Sequence, residues 1–146
     1  MSTSFEYKKP PENQEHVHKI EMVIDGDVIG HADLEYRNDP FPFYYVSLVF
    51  IKKTFRGSGF GREVLEKING FLDSKKKPGI LANAIDIDHP AHQMYEKCGW
   101  IKIQDKEDWY SYGLDNLSPN KIKKAVYITE ERDFKKYAKT SVSVHK

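Results

Sequence analysis

A glycine-rich segment near the middle of the chain carries residue types and spacing suited to binding an anion. Phe55-Arg56-Gly57-Ser58-Gly59-Phe60-Gly61-Arg62 lies between an apolar run and a helical pattern. Its three glycines allow the backbone to curl so that successive amide N–H groups point outward at a helix start, where phosphates bind. Arg56 and Arg62 add positive charge to such a cradle. The segment is predicted either to bind phosphate or to serve only as a tight strand-to-helix turn.

Other motifs that bind phosphate or nucleic acid match this segment poorly. The dinucleotide fingerprint requires GxGxxG, and here the third glycine comes one residue early. A P-loop requires Lys followed by Ser or Thr after its last glycine, where this chain has Arg62-Glu63. An RNA-recognition motif would need an aromatic residue at Ser58 and an aliphatic one at Gly61. RNA binding is therefore only a remote alternative.

The elements on either side of this turn follow from the spacing of the apolar residues. Residues 44–51 (YYVSLVFI) are a continuous apolar run rich in β-branched and aromatic side chains, which predicts a central strand buried on both faces. Apolar residues at helical spacing from Phe60 to Leu72 predict an amphipathic helix of about five turns. The turn would thus join the middle of a sheet to a long helix.

Further strands and a second helix are predicted around this pair. Two alternating runs, 19–24 and 28–36, flank Asp25-Gly26 and are typical of a β-hairpin. Residues 91–98 have apolar positions at helical spacing, with Pro90 before them and Gly99 after them. Other strands are expected at 4–8, 80–87, 100–104 and 122–129, with an aromatic and acidic stretch at 105–120.

Length and charge narrow the class of protein. The 146 residues are expected to form one domain, 1–146, with a variable strand or loop over 1–18 and a C-terminal tail over 130–146. Because 23 Lys and Arg oppose 22 Asp and Glu, no bulk charge attracts nucleic acid or a membrane. One cysteine excludes an intrachain disulfide, and no apolar run has the length of a membrane span. A cytoplasmic protein without those partners is expected.

Two motifs at the right separation resemble the GNAT superfamily of N-acetyltransferases over roughly residues 19–104. The first is the family signature Gln/Arg-x-x-Gly-x-Gly/Ala, which this chain meets with Arg56, Gly59 and Gly61. The second is a pattern like Asn-x-x-Ala-x-x-x-Tyr-x-x-x-Gly-Phe, whose places are taken in DHPAHQMYEKCGW by Asp88, Ala91, Tyr95, Gly99 and Trp100. The resemblance implies a mixed α/β (α+β) fold with a central mixed sheet of about six or seven strands and two main helices.

The resemblance also implies a binding site for acetyl-CoA as co-substrate. Backbone groups of Val49, Phe50 and Ile51 would pair with the pantetheine arm as if it were a strand. The pyrophosphate would be held by the amides of residues 56–61, namely Arg56, Gly57, Ser58, Gly59, Phe60 and Gly61, with Arg62 beside them. Asp88 stands where the family has an Asn that contacts the cofactor or a strand carbonyl, so that contact is in question. His89 and His92 lack a third ligand, and no metal is expected.

Acetyl transfer needs an acid, a base and a group that stabilises the oxyanion. Tyr95 matches the family's acid position, although it also lies on the apolar stripe of its helix and could be a packing residue. Glu35 and Asp86 are the catalytic base candidates, together with Asp33 and His31, and relay through water is an equal alternative. The amide of Val49 or Phe50 would serve the oxyanion.

The predicted activity is acetyl transfer from acetyl-CoA to a primary amine of a small molecule, peptide or protein, by direct attack in a ternary complex. The alternative is a catalytically weak or inactive module that binds acyl-CoA. Only about ten polar residues precede the hairpin, so the family's first helix pair is expected to be absent and the acceptor site open. Residues 38–43, residues 105–120 or a second subunit would close it. Aromatic and acidic residues in those two segments suit a cationic amine or, equally, a homodimer interface.

Overall fold

The computed structural model describes residues 3–8, 10, 17–57, 59–82, 90–106, 108–114 and 116–144, with backbone alone for 90–93 and 134–144. Within these ranges the elements are β1 (Thr3–Lys8), β2 (Val17–Ile24), β3 (Asp27–Arg37), β4 (Phe43–Ile51), α1 (Phe60–Lys75), β5 (Gly79–Ala82), α2 (Pro90–Lys97), β6 (Ile101–Lys102), β7 (Trp109–Tyr112) and α3 (Pro119–Val144).

The seven strands of the described chain form one mixed sheet in the order β1-β2-β3-β4-β5-β7-β6. β4 and β5 are parallel, because α1 carries the chain back across the sheet between them, and the other neighbouring pairs are antiparallel. The predicted mixed α/β fold with six or seven strands is therefore confirmed.

The N-terminal half follows the sequence pattern closely. Asp25 and Gly26 both have positive φ, 50° and 85°, which is the two-residue turn that suits the twist of a β-hairpin. β1 pairs directly with β2, so only residues 9–16 connect them. Eight residues are too few for two helices, and the predicted absence of the family's first helix pair is confirmed.

One face of the sheet carries the larger core. α1 buries Val64, Leu65, Ile68 and Leu72 against the sheet, as its spacing predicts. α2 is held to α1 through Asn69, which donates to the Cys98 carbonyl at 2.8 Å and accepts from the Trp100 indole at 2.7 Å. These two bonds fix the segment at the end of α2 relative to α1.

The opposite face is covered by α3. Its residues Ala125 and Val126 are fully buried in a second cluster with Phe43, Tyr45 and Ile80 of the sheet. Because β4 supplies Tyr44 and Val46 to the first cluster and Phe43 and Tyr45 to the second, its first half is buried on both faces, as predicted.

The C-terminal third differs from the sequence-based expectation. Residues 122–129, predicted to be the last strand, lie inside α3, and the segment expected as a tail from residue 130 continues this helix to Val144. Ser118 caps the start of this helix, because its hydroxyl accepts from the Lys121 amide at 3.4 Å. The 105–120 stretch contains β7, which the sequence reasoning missed.

Two further boundaries and one property of the helices complete the comparison. β5 ends at Ala82 within the described chain, so the rest of the predicted strand 80–87 lies outside the described residues. β6 is two residues long, shorter than the predicted 100–104. In the described ranges no helix is both long enough and apolar enough to cross a membrane.

Candidate functional site

The described pairing of β4 with β5 covers only the first half of β4. Their parallel pairing covers Tyr44–Gly79, Tyr45–Ile80 and Val46–Leu81, whereas β4 continues for five more residues to Ile51. β3 pairs with the other edge of this extension. Among the described residues no strand pairs with the β5-side edge of residues 47–51, and residues 83–89, which follow β5, lie outside the described part of the chain.

A β-bulge lies at the start of this extension of β4. Asp33 is opposite Leu48 and Leu34 is opposite Val46, so Ser47 is the extra residue on β4. A bulge bends its strand and increases the local twist, so the second half of β4 runs in a different direction from the first. Leu48 and Phe50 beyond it are 41% and 40% exposed, unlike the buried first half. We call residues 47–51 the open segment.

The glycine-rich turn follows the open segment directly. Gly57 and Gly59 have φ of 83° and 86°, a conformation that side chains other than glycine rarely adopt. A Cβ added at either position would meet nothing within 4 Å, so the space in front of this backbone is open. The first intrahelical bond runs from the Glu63 amide to the Gly59 carbonyl, and the amides before Glu63 have no partner inside α1. Ser58 lies outside the described residues.

The two arginines of the turn make different contacts. Arg56 donates through Nε to the Ile51 carbonyl at 2.9 Å, and its guanidinium lies 5.9 Å from the centre of the Phe50 ring. It therefore ties the turn back onto β4, a role that the sequence reasoning did not predict. Arg62 is exposed on α1 and pairs with Glu66 at 3.1 Å. Gly61 faces α2, since a Cβ there would lie 3.5 Å from the Met94 sulfur.

Tyr95 packs beside the last paired residues of β4 and β5. Val46 pairs with Leu81, Leu81 pairs with Tyr110, and the Tyr110 ring is 5.0 Å from the Tyr95 ring. Tyr95 is 1% exposed, and its hydroxyl makes no hydrogen bond to any other described residue. Burial, with a smaller contribution from Tyr110, raises the pKa of Tyr95 to about 12. The phenol is thus held protonated at neutral pH.

The candidate catalytic bases that the structure describes lie at different positions along β3. Glu35 is opposite Tyr45, before the bulge, and its carboxylate is 3.6 Å from the Arg37 guanidinium, with both side chains largely buried. Asp33 and His31 are opposite Leu48 and Phe50 of the open segment, and His31 Nδ1 lies 3.3 Å from Asp33 Oδ1. Asp86 and Asp88 lie outside the described residues. The structure thus brings His31 and Asp33, rather than Glu35, alongside the open segment.

A cleft of about 470 Å³ lies between α3 and the sheet, and the sequence reasoning missed it. Three of its residues come from strands and four from α3: Tyr45, Ala82, Trp109, Tyr127, Glu130, Glu131 and Asp133. The Tyr45 hydroxyl donates to Asp133 at 2.8 Å, and burial together with this bond raises the pKa of Tyr45. Reading residues 122–129 as a helix would have placed Glu130, Glu131 and Asp133 beside the sheet.

The loop before β4 contributes to the core rather than to a site. Phe41 and Phe43, which were expected among the residues available to a cationic acceptor, are buried in the second cluster with Ile103 and Leu114. Trp109, from the other segment considered for the same role, does line the cleft.

Comparison with known proteins gives a consistent picture. The sequence profile of the acetyltransferase (GNAT) family matches residues 2–100. None of the curated proteins searched matches the chain.

Solved structures of low sequence identity share the fold. A GNAT-family protein from Desulfovibrio desulfuricans superposes with a TM-score of 0.58 at 14% identity, covering 75% of this chain and 98% of that one. A GNAT-family acetyltransferase from Elizabethkingia anophelis with acetyl-CoA bound has a TM-score of 0.57 at 9% identity, covering 75% and 97%. An IAA acetyltransferase from Bacillus cereus has a TM-score of 0.57 at 15% identity, covering 68% and 77%.

Proposed function

Because the chain belongs to the acetyltransferase (GNAT) family, we propose that it transfers an acetyl group from acetyl-CoA to a primary amine, by direct attack in a ternary complex. The observation that carries this proposal is the continuity of the open segment with the glycine-rich turn. The first has no partner strand on its β5 side among the described residues, and the second has amides at the start of α1 that lack a partner inside the helix. Pantetheine amides and a pyrophosphate need these two kinds of partner in this order.

The residues present fit acetyl-CoA. Val49 and Phe50 of the open segment would pair with the pantetheine arm, with Ile51 contributing less because its carbonyl already accepts from Arg56. The open space before Gly57 and Gly59 leaves room for phosphate oxygens at the backbone. The structure from Elizabethkingia anophelis holds acetyl-CoA on the same fold, which supports this assignment. Ser58 and Asp88 stay predicted contacts.

The chemistry is an acyl substitution at the thioester. The neutral amine nitrogen attacks the carbonyl carbon, the C–N bond forms, and the amide of Val49 or Phe50 stabilises the oxyanion. The C–S bond then breaks, and Tyr95 gives its proton to the departing thiolate. The amine loses one proton to the base, and solvent restores the proton on Tyr95. The products are an N-acetylated amine and CoA.

His31, oriented by Asp33, is the base that the geometry supports best, acting directly or through water. An imidazole hydrogen-bonded to a carboxylate is a common general base, because the carboxylate orients the ring. Glu35 is the weaker candidate because it is paired with Arg37 and because the bulge separates it from the open segment. Asp86 stays a predicted base candidate.

The proposal extends to the protein's setting. It is a single-domain enzyme of the cytoplasm, without nucleic acid or membrane as a partner, which its net charge of +1 supports. A homodimer is one way in which the acceptor side would gain a further wall.

The test of acetyl-CoA binding uses Gly59→Glu, measured by isothermal titration calorimetry. The new carboxylate would fill the cradle with like charge, so binding should be lost, with at least a 100-fold rise in Kd. Two variants are matched controls. Gly59→Ala shares the backbone strain without the charge, and Gly70→Glu adds the same charge at an open position in the middle of α1.

Both controls should bind acetyl-CoA within about five-fold of the wild-type Kd. Release of the CoA thiol in the presence of an amine panel then measures turnover. Wild-type protein that does not bind acetyl-CoA, or Gly59→Glu protein that binds it normally, would refute the proposal.

An acyl-CoA-binding module without catalysis is the second candidate. The observation that favours it is the pKa of Tyr95, which at about 12 makes its phenol a weaker acid than an ordinary tyrosine. Acetyl-CoA binding without acetylation of any amine in the panel would select this function.

A further inference from the structure

We propose that Asn69 is a positioning residue, because its side chain clamps the C-terminal end of α2 to α1 and thereby fixes Tyr95 relative to the glycine-rich turn. The inference rests on the proposed function, since Tyr95 is the acid assigned to that reaction. It is drawn from the hydrogen bonds at the end of α2 and from the packing of α2 on α1.

Tyr95 lies in the last turn of α2, and its carbonyl takes part in the cap that ends this helix. The Trp100 amide donates to the Tyr95 carbonyl at 3.0 Å, and the Gly99 amide donates to the Glu96 carbonyl at 3.1 Å. Gly99 has a φ of 87°, so these bonds form a Schellman motif, in which a left-handed residue ends the helix. The position of Trp100 is therefore tied to that of Tyr95.

Asn69 of α1 bonds to both sides of this cap. Its Nδ2 donates to the Cys98 carbonyl at 2.8 Å, and its Oδ1 accepts from the Trp100 Nε1 at 2.7 Å. The Cys98 carbonyl belongs to the end of the helix, where carbonyls have no partner within the helix itself. A side-chain amide has both a donor and an acceptor, whereas a carboxylate has acceptors alone. Asn69 thus satisfies two different groups of the cap at once.

α2 also packs against the first turn of α1, beside the glycine-rich turn. A Cβ added at Gly61 would lie 3.5 Å from the Met94 sulfur, so Met94 packs close to the α1 backbone. Apolar contacts of this kind are not directional and would allow α2 to slide along α1. The hydrogen bonds of Asn69 require a defined distance and angle, so they set the position of α2 along α1. Tyr95, next to Met94, takes its position from both contacts.

The ring of Tyr95 cannot adjust independently of its helix. It is 1% exposed and packs 5.0 Å from the Tyr110 ring, and Trp100 is 1% exposed in the same core cluster. Close-packed interiors transmit a displacement to their neighbours. A shift at the end of α2 would therefore move the Tyr95 hydroxyl, and a misplacement of about 1 Å can lower a catalytic rate about 100-fold.

A double-mutant cycle separates positioning from a purely structural role. Asn69→Leu nearly keeps the size of the side chain and removes both hydrogen bonds. It should lower kcat for amine acetylation about ten-fold and leave the Kd for acetyl-CoA within about two-fold of the wild-type value. In Tyr95→Phe protein, which lacks the hydroxyl, the same substitution should lower kcat less than about two-fold. Equal losses of kcat in the two backgrounds would overturn the proposal.

Two variants complete the kinetic experiment. Ser74→Ala is the matched control, because it removes a side-chain hydrogen bond to the Phe71 carbonyl at an exposed position of the same helix. Its kcat should equal that of the wild type. Asn69→Ala removes the same two bonds without adding apolar atoms, and it replaces Asn69→Leu if that variant does not fold. A wild-type kcat in either Asn69 variant would also overturn the proposal.

NMR of the tryptophan indoles tests the clamp without catalysis. The chain has two tryptophans, so Trp109 is an internal reference for Trp100. The Trp100 indole N–H, which Asn69 accepts, should exchange with solvent about ten-fold faster in Asn69→Leu. The Trp109 indole should exchange at its wild-type rate, and Ser74→Ala should change neither signal.

The two readouts distinguish this inference from the proposed function. Faster exchange at Trp100 in a protein that acetylates no amine would support the clamp while the proposed function fails. If amines are acetylated but exchange at Trp100 is unchanged in Asn69→Leu, the inference fails while the proposed function stands.

Discussion

At the scale of single residues, the Tyr95 hydroxyl separates catalysis from packing. Tyr95→Phe removes one oxygen from a ring that is 1% exposed and leaves its contact with Tyr110 in place. If the phenol protonates the thiolate, kcat should fall about 100-fold, the usual size of a general-acid contribution. The Kd for acetyl-CoA should stay within about two-fold. Stopped assays of CoA release and calorimetry measure the two quantities separately.

The control for this substitution is Tyr44→Phe, which removes a hydroxyl from a buried tyrosine in the paired half of β4. Its kcat should match that of the wild type. Because burial raises the pKa of Tyr95 to about 12, the acid stays protonated as the pH rises, and its ionisation should not reduce the rate below about pH 11. An unchanged kcat in Tyr95→Phe would make Tyr95 a packing residue.

Sequence reasoning succeeded where a residue's role follows from its own backbone. Glycines at 57 and 59 were predicted to curl the turn, and both have positive φ. Arg56 was predicted as a phosphate ligand, but its contact with the Ile51 carbonyl depends on how the turn folds back, which the sequence pattern does not contain. Glu35 and Arg37 are two apart in a strand and so share a face, a signal that predicts their pairing.

At the scale of elements, α3 shows how propensity and periodicity can conflict. The segment IKKAVYIT is rich in β-branched and aromatic residues, which favours a strand. Its fully buried positions, however, are Ala125, Val126 and Thr129, and together with Ile122, which packs against the same cluster, they lie at helical spacing of three, four and seven. Packing against the second face of the sheet decides for the helix, because only that arrangement buries these four side chains together.

Val126→Ala tests this packing. Val126 is fully buried between α3 and the sheet, so removing two methyl groups should lower the free energy of unfolding by about 1–2 kcal/mol. Lys124→Ala, on the exposed side of the same helix, should change it by less than about 0.5 kcal/mol. Urea unfolding followed by circular dichroism measures both. Equal effects of the two substitutions would mean that α3 does not cover the sheet.

For β4 the sequence predicts the strand correctly but does not reveal its bulge. A continuous apolar run has no alternation, so an extra residue at Ser47 leaves no break in the pattern. The run also predicted burial on both faces throughout, whereas Leu48 and Phe50 are exposed. Apolar residues left exposed at an open strand edge are consistent with a ligand that covers them.

At the scale of the whole molecule, the two faces of the sheet carry different structural features. The glycine-rich turn, α1 and α2 belong to one face, and the acidic cleft under α3 belongs to the other. α3 begins after the segment that the family profile matches, so the element that covers the second face lies outside that match.

The last prediction concerns the stability of the whole domain with its co-substrate. Acetyl-CoA at about 100 times its Kd should stabilise the folded state by about 2.7 kcal/mol, because it binds only that state. For a domain of 146 residues this corresponds to a rise in Tm of roughly 5–10 °C. Pantetheine and adenosine 3′,5′-bisphosphate, added separately at equal concentration, should each give a smaller rise, since one would use the open segment and the other the glycine-rich turn. Differential scanning calorimetry measures all three. A Tm that responds to the bisphosphate but not to pantetheine would exclude the strand-like contacts assigned to Val49 and Phe50.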